Sequence, residues 1–156
     1  MEDNRISVDE YFMNLAKETS YRSRDTHTKV GACIIKDNKI LSLGYNGAPR
    51  LFDDSLIPMS NTDINSDSLL EQKNTYMIHA EVNAILNYGG ILSDLKNSTI
   101  YTTVSPCHEC AKVLAQVGIK KIIYLQKYHR TNICEASEYI LKQCGIEIEQ
   151  FNKKGN

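Results

Sequence analysis

Four residues of this chain have the types and spacing of a metal-assisted hydrolytic centre. They are His79 and Glu81 in His79-Ala80-Glu81, and Cys107 and Cys110 in Pro106-Cys107-His108-Glu109-Cys110. A catalytic zinc ion usually takes three protein ligands and leaves its fourth position to water. His79, Cys107 and Cys110 can supply those three. Both cysteines fall at the expected start of a helix, where the helix dipole and free backbone N–H groups stabilise thiolate. Two thiolates and a neutral imidazole then balance the charge of Zn²⁺. On a regular helix, residues at i and i+2 do not face one another, so Glu81 is poorly spaced to ligate the ion that His79 holds. It is free for a different role beside a metal-bound water, first as general base and then as general acid, worth about 10² to 10⁴ in rate.

Each half of this pattern is weak alone. A CxxC pair is more often a redox pair or half of a structural zinc site, and a structural site needs a fourth ligand, for which Cys134, Cys144 and His108 are available. His108 lies between the two cysteines and has little freedom to reach the same ion. Cys134 and Cys144 are expected as buried small hydrophobes of the last helix, and Cys33 as core.

Several elements must position these side chains. Ser7 with Glu10 makes a capping box, and Tyr11, Phe12, Leu15 and Ala16 follow at helical spacing, so a first helix starts near Val8. Val30, Ala32 and Ile34 alternate before the polar break Lys36-Asp37-Asn38-Lys39, and Ile40, Leu41 and Leu43 follow, which predicts a β-hairpin. From Arg50 to Thr75 the chain is polar and irregular, with Asp53, Asp54, Asn61, Asp63 and Asp67, and Leu69-Leu70 as the nucleus of a short helix. Loops of that length are usually functional or disordered. Met77 to Asn87 reads as a helix stopped by Gly89-Gly90, and Thr99 to Val104 as a buried strand. Cys107 to Gln116 reads as a helix stopped by Gly118, Lys121 to Leu125 as a strand, Ile133 to Lys142 as a helix closed by Gly145, and Glu147 to Phe151 as a final strand. Strands alternating with helices predict an α/β sheet between helical layers.

The 156 residues suffice for one core and are read as a single domain, 1–156, with 50–75 as a polar insertion. A net charge of −1 provides no basic stripe for duplex nucleic acid, so a small-molecule partner is expected. No apolar run approaches the roughly 18 residues of a membrane span, and Met1-Glu2-Asp3-Asn4-Arg5 is too polar for a secretory signal. A soluble, cytoplasmic protein without a disulfide framework is the expectation.

H-x-E followed by P-C-x-x-C resembles the signature of the zinc deaminases. Further stretches extend the resemblance, over nearly the whole chain, to the deoxycytidylate (dCMP) deaminase family of the cytidine deaminase superfamily. They are Arg22-Ser23-Arg24-Asp25 leading into Lys29-Val30-Gly31-Ala32, Gly44-Tyr45-Asn46-Gly47, Ile78 to Ile85, and Ser105-Pro106-Cys107 through Cys110-Ala111-Lys112 to Gly118-Ile119-Lys120.

The resemblance implies a three-layer α/β/α cytidine-deaminase-like fold with a mixed, roughly five-stranded central sheet. It implies one catalytic Zn²⁺ per chain, since Arg50 to Thr75 lacks the cysteines and histidines that build a second zinc site in some phage members. It implies hydrolysis of dCMP to dUMP and ammonia, feeding thymidylate synthesis, with Glu81 carrying protons to N3 and to the leaving amine. Asn46 and Tyr128 match family positions near the nucleotide, and Ala80 and Ser105 are grouped with them. Asn-Gly is also an ordinary turn pair, and Tyr128 fits a half-exposed sheet-edge aromatic equally well. Ser23 and Arg24 are candidates for the 5′-phosphate, against the alternative of solvated residues after a helix. The family's control by dCTP and dTTP in homohexamers implies an effector site near Tyr45 and Gly47, with Asp53 and Asp54 meeting a Mg²⁺-bound triphosphate. The rival readings are a tRNA adenosine deaminase or another cytosine nucleoside or nucleotide deaminase, and a non-catalytic zinc-binding assembly module. The acidic balance and the Gly44 to Gly47 segment argue against the tRNA deaminase, and Glu81 beside the metal against the assembly module.

Overall fold

The computed structural model describes residues 3–61 and 65–152, so Met1, Glu2 and Asp63 fall outside it. Ser7 caps the first helix, α1 (Val8–Ser20), its hydroxyl accepting the Glu10 N–H at 3.1 Å. The buried stripe of α1 is Phe12, Met13, Ala16 and Ser20. Tyr11, expected on that stripe, is 47% exposed. Strands β1 (Gly31–Lys36) and β2 (Lys39–Tyr45) form the hairpin. Its two-residue turn places both Asp37 (φ 51°) and Asn38 (φ 60°) in the left-handed region, as a turn matched to strand twist requires.

Helix α2 (Ala80–Leu86) is followed by β3 (Thr99–Val104), α3 (His108–Val117), β4 (Lys121–Gln126), α4 (Thr131–Gln143) and β5 (Glu147–Gln150). The sheet order is β2-β1-β3-β4-β5, antiparallel on the β1 side and parallel from β3 to β5, hence mixed and five-stranded. Side chains alternate between faces along each strand. Ala32, Ile34, Ile100 and Ile122 meet Ala84, Leu114 and Leu141 of α2, α3 and α4. Cys33, Ile35, Tyr101 and Ile123 meet Phe12, Met13 and Ala16 of α1. Cover on both faces accounts for the unbroken buried runs of the central strands, 31–35 in β1 and 100–103 in β3.

Two further expectations change. Helix α2 begins at Ala80 rather than Met77, because Ile78 bridges Gly47 with both backbone groups, at 3.0 and 2.8 Å, and so cannot enter a helix. Cys144 caps the C-terminus of α4 and is exposed, whereas Cys33 and Cys134 are buried as expected. Among the described residues of 50–75, isolated 3₁₀ turns stand at Asp54–Leu56, Leu69–Glu71 and Lys73–Thr75, the second where Leu69-Leu70 predicted a short helix.

Candidate active site

Two helix N-termini converge on the site. His79 is the N-cap of α2 and Cys107 the N-cap of α3. The His79 Nδ1 atom lies 3.4 Å from Cys107 Sγ and 3.3 Å from Cys110 Sγ. All three donor atoms fall within 4.8 Å of one another. Tetrahedral zinc with ordinary Zn–S and Zn–N bonds separates such donors by about 3.5 Å, so the set fits the ion.

The electrostatics of the donor set also favour a cation among them. The Cys107 thiol is pulled down to about 4, first by its hydrogen bond with Cys110 and then by that with His79, against burial. His79 is pushed up to about 9 by the Cys107 hydrogen bond, with burial opposing. The Cys110 thiol is driven far upward by Cys107 and by burial. One thiolate therefore forms readily and a second beside it does not, until a cation compensates both. Among the described residues this is the one cluster of three or more such ligands.

Glu81 occupies the first turn of α2 and is 4% exposed, with Oε2 3.8 Å from Cys110 Sγ. Because His79 is a cap in extended conformation (ψ 153°) and not part of the helix, the i, i+2 pair converges on one place with different roles. Burial raises the Glu81 carboxyl above its ordinary value, which suits a group that must carry a proton.

A cavity of about 680 Å³ opens onto these residues, within the range of small-ligand sites. Asn46, Ala80, Ser105 and Tyr128 all line it. The Asn46 amide is spent on the cavity wall: Oδ1 accepts the Val30 N–H at 2.8 Å, and Nδ2 donates to Thr28 O at 2.9 Å. Ser105 Oγ accepts the Tyr128 N–H at 2.8 Å, and the Cys134 thiol donates to the Tyr128 carbonyl at 3.2 Å, so the Tyr128 backbone is held at both ends.

Ser23 and Arg24 do not line the cavity. The Ser23 hydroxyl is buried and donates to Asn46 O at 2.8 Å, and the exposed Arg24 pairs with Asp54 at 2.6 Å. Tyr45, Gly47, Asp53 and Asp54 are also off the cavity. Asp53 caps the turn at Ser55, and Gly47 bridges Ile78. Sequence reading missed Asp25, Lys73 and Arg130, which do line it. Asp25 sits within the quoted Arg22–Asp25 stretch, but Lys73 lies in a polar run that reads as solvated.

A mixed five-stranded sheet with helices on both faces, carrying a His, Cys and Cys donor set with a buried glutamate at its helix ends, defines the class of zinc-binding nucleoside and nucleotide deaminases. The chain belongs to the cytidine and deoxycytidylate deaminases, whose zinc-binding region matches residues 6–126. It is 38% identical to the deoxycytidylate deaminase of Mus musculus, over 97% of this chain and 84% of that protein. It is 42% identical to the probable deoxycytidylate deaminase of Drosophila melanogaster, over 91% and 71%. The dCMP deaminase of cyanophage S-TIM5, solved with dCMP and dUMP, superposes with a TM-score of 0.71 at 28% identity, over 97% of this chain and 99% of that one. The chain is thus a deaminase, and the α/β fold expected from sequence is the fold observed. No helix among the described residues is long and apolar enough to cross a membrane.

Proposed function

We propose that the chain hydrolyses dCMP to dUMP and ammonia. The observation that carries this reading is the buried Glu81 carboxyl beside the His79, Cys107 and Cys110 donor set, at the floor of a cavity of nucleotide size. Zinc, when held by those three residues, supplies Lewis acidity that brings the pKa of water toward neutrality. Glu81 takes a proton from the attacking water and delivers it to N3 of cytosine as oxygen adds to C4. It then takes the second proton from the new C4 hydroxyl and passes it to the departing amine as the C4–N bond breaks and the C4 carbonyl forms, so that water is consumed and ammonia leaves. Ser105 and Cys134 hold the Tyr128 backbone against the cavity, and Asn46 braces the opposite wall.

The choice of a nucleoside monophosphate is supported by the similarity to deoxycytidylate deaminases, one of them solved with dCMP and dUMP, and by the cationic side chains Lys127 and Arg130 that line the cavity after β4. Use of the product in thymidylate synthesis, cytoplasmic location, homohexamer assembly and control by dCTP and dTTP with Mg²⁺ belong to the same reading. Effector control is supported by the resemblance around Gly44–Gly47 and the others by the family resemblance as a whole, and Asp54 would have to release Arg24 to meet a triphosphate-bound cation. Ammonia release from dCMP, dCTP, deoxycytidine, CMP and tRNA, with and without dCTP and dTTP, tests it. Preference for dCMP is the expected result, and turnover of tRNA alone would sink the reading.

A further inference from the structure

We infer that Lys73 is a positioning and charge-balancing residue, whose buried ion pair with Asp25 allows the cavity to accept an anionic nucleotide. This inference rests on the nucleoside monophosphate reading above.

The Asp25 carboxylate takes four donors. Oδ1 accepts the N–H groups of His27 at 2.8 Å and Thr28 at 3.1 Å, and Oδ2 accepts Lys73 Nζ at 2.7 Å and Asn46 Nδ2 at 3.3 Å. It thereby joins the turn after α1, the end of β2 and the polar 50–75 segment, and all five residues line the cavity. The Asp25 and Lys73 side chains are 2% and 6% exposed. Burial works to raise the Asp25 carboxyl, but the hydrogen bonds from Lys73, His27 and Thr28 outweigh it and keep the group ionised.

A carboxylate that builds the wall also electrifies it. An uncompensated negative charge there would repel a phosphorylated ligand, and water-excluding walls screen such a charge weakly. The Lys73 ammonium cancels it at contact distance. Lys73 also stands six residues before His79, on a stretch whose other end is pinned by the Gly47–Ile78 bridge. The pair therefore fixes where this stretch meets the cavity while keeping that wall neutral.

A merely structural role would affect charged and neutral ligands alike, whereas charge balance discriminates by ligand charge. The test is the KM for dCMP and the inhibition constant of neutral deoxycytidine against it, measured at low salt on the zinc-loaded chain. The variants are Lys73→Met, Asp25→Asn, the double D25N/K73M and Lys73→Arg. At an effective dielectric of about 20, one unpaired charge about 10 Å from an anion changes affinity about tenfold or more. Lys73→Met is expected to raise the ratio of the dCMP constant to the deoxycytidine constant by about that factor. Asp25→Asn should shift the ratio the opposite way, while the double variant and Lys73→Arg stay near the unaltered chain. Should Lys73→Met fail to fold, the shift of Asp25→Asn and its reversal in the double variant still decide. Equal changes for both ligands, or a double variant no closer to the unaltered ratio than the single ones, overturn the proposal alone. Absence of dCMP turnover by the unaltered chain overturns the substrate reading and this proposal with it.

Discussion

Glu81 Oε2 lies 3.8 Å from Cys110 Sγ, inside the protein and on the first turn of the helix that His79 caps. The carboxyl is near enough to the metal ligands to serve water held there, yet it is not one of the three donors that fit an ion. On the proposed reading, metal binding and proton transfer therefore fall to separate side chains.

Replacing Glu81 with Gln keeps the shape and removes the proton carrier. Turnover of dCMP should fall by about 10² to 10⁴, while zinc content, measured by atomic emission on the purified variant, stays near one ion per chain. Loss of the metal together with activity would show that Glu81 is a ligand instead.

Removing the metal should act on both activity and stability. Dialysis against a chelator should abolish ammonia release, and added zinc should restore it. The zinc-loaded chain should also unfold at a higher temperature than the stripped one, because an ion bound only by the folded state stabilises it by linkage. Cys110→Ala should abolish that zinc-dependent rise in melting temperature. An equal rise in the variant would place the ion elsewhere.

Asp25 links the cavity wall to acid stability. Its carboxyl titrates below its ordinary value in the folded chain, so its contribution is fully present above the unfolded pKa of about 3.9 and is lost as pH falls through the folded value. Asp25→Asn leaves the Lys73 ammonium buried without its counter-charge and should cost about 3–5 kcal/mol at neutral pH. The difference between the two chains, read from urea unfolding, should be largest at pH 7 and should shrink below about pH 4. A difference independent of pH would mean that Asp25 is not ionised in the folded protein.

What was legible in the sequence was local or chemically singular. The Ser7 cap, the Asp37-Asn38 turn and the Gly118 stop are short-range conformational signals, and each falls where it was expected. The metal donors were legible because few residue types ligate zinc. The Asp25–Lys73 pair was not, since its partners stand 48 residues apart and a lysine within a polar run gives no sign that tertiary contact will bury it. The start of α2 was misplaced for a related reason. The apolar period continues back through Met77, but a backbone bridge to Gly47 takes Ile78 out of the helix.

Gly44 gives a last test, of the contact that holds α2 against the sheet. A Cβ built there would stand 2.2 Å from Ala84 N and 2.4 Å from Ala80 O, both backbone atoms of the helix. Side chains further fix the approach, with Ser42 Oγ donating to Ala84 O at 2.6 Å and Asn83 Nδ2 to Tyr45 O at 2.8 Å. Gly44→Ala must therefore push α2 outward, at a cost of about 3 kcal/mol. Because α2 carries Glu81 and is capped by His79, the shift should lower zinc affinity and turnover even in molecules that remain folded. Gly47, in the same sequence motif, has nothing within 4 Å of a built Cβ, and its bridge to Ile78 uses backbone groups alone. Gly47→Ala should stay within about 0.5 kcal/mol of the unaltered chain and retain its zinc. Urea unfolding with metal analysis of both variants checks the contrast, and equal behaviour of the two would show that the motif does not set the position of α2.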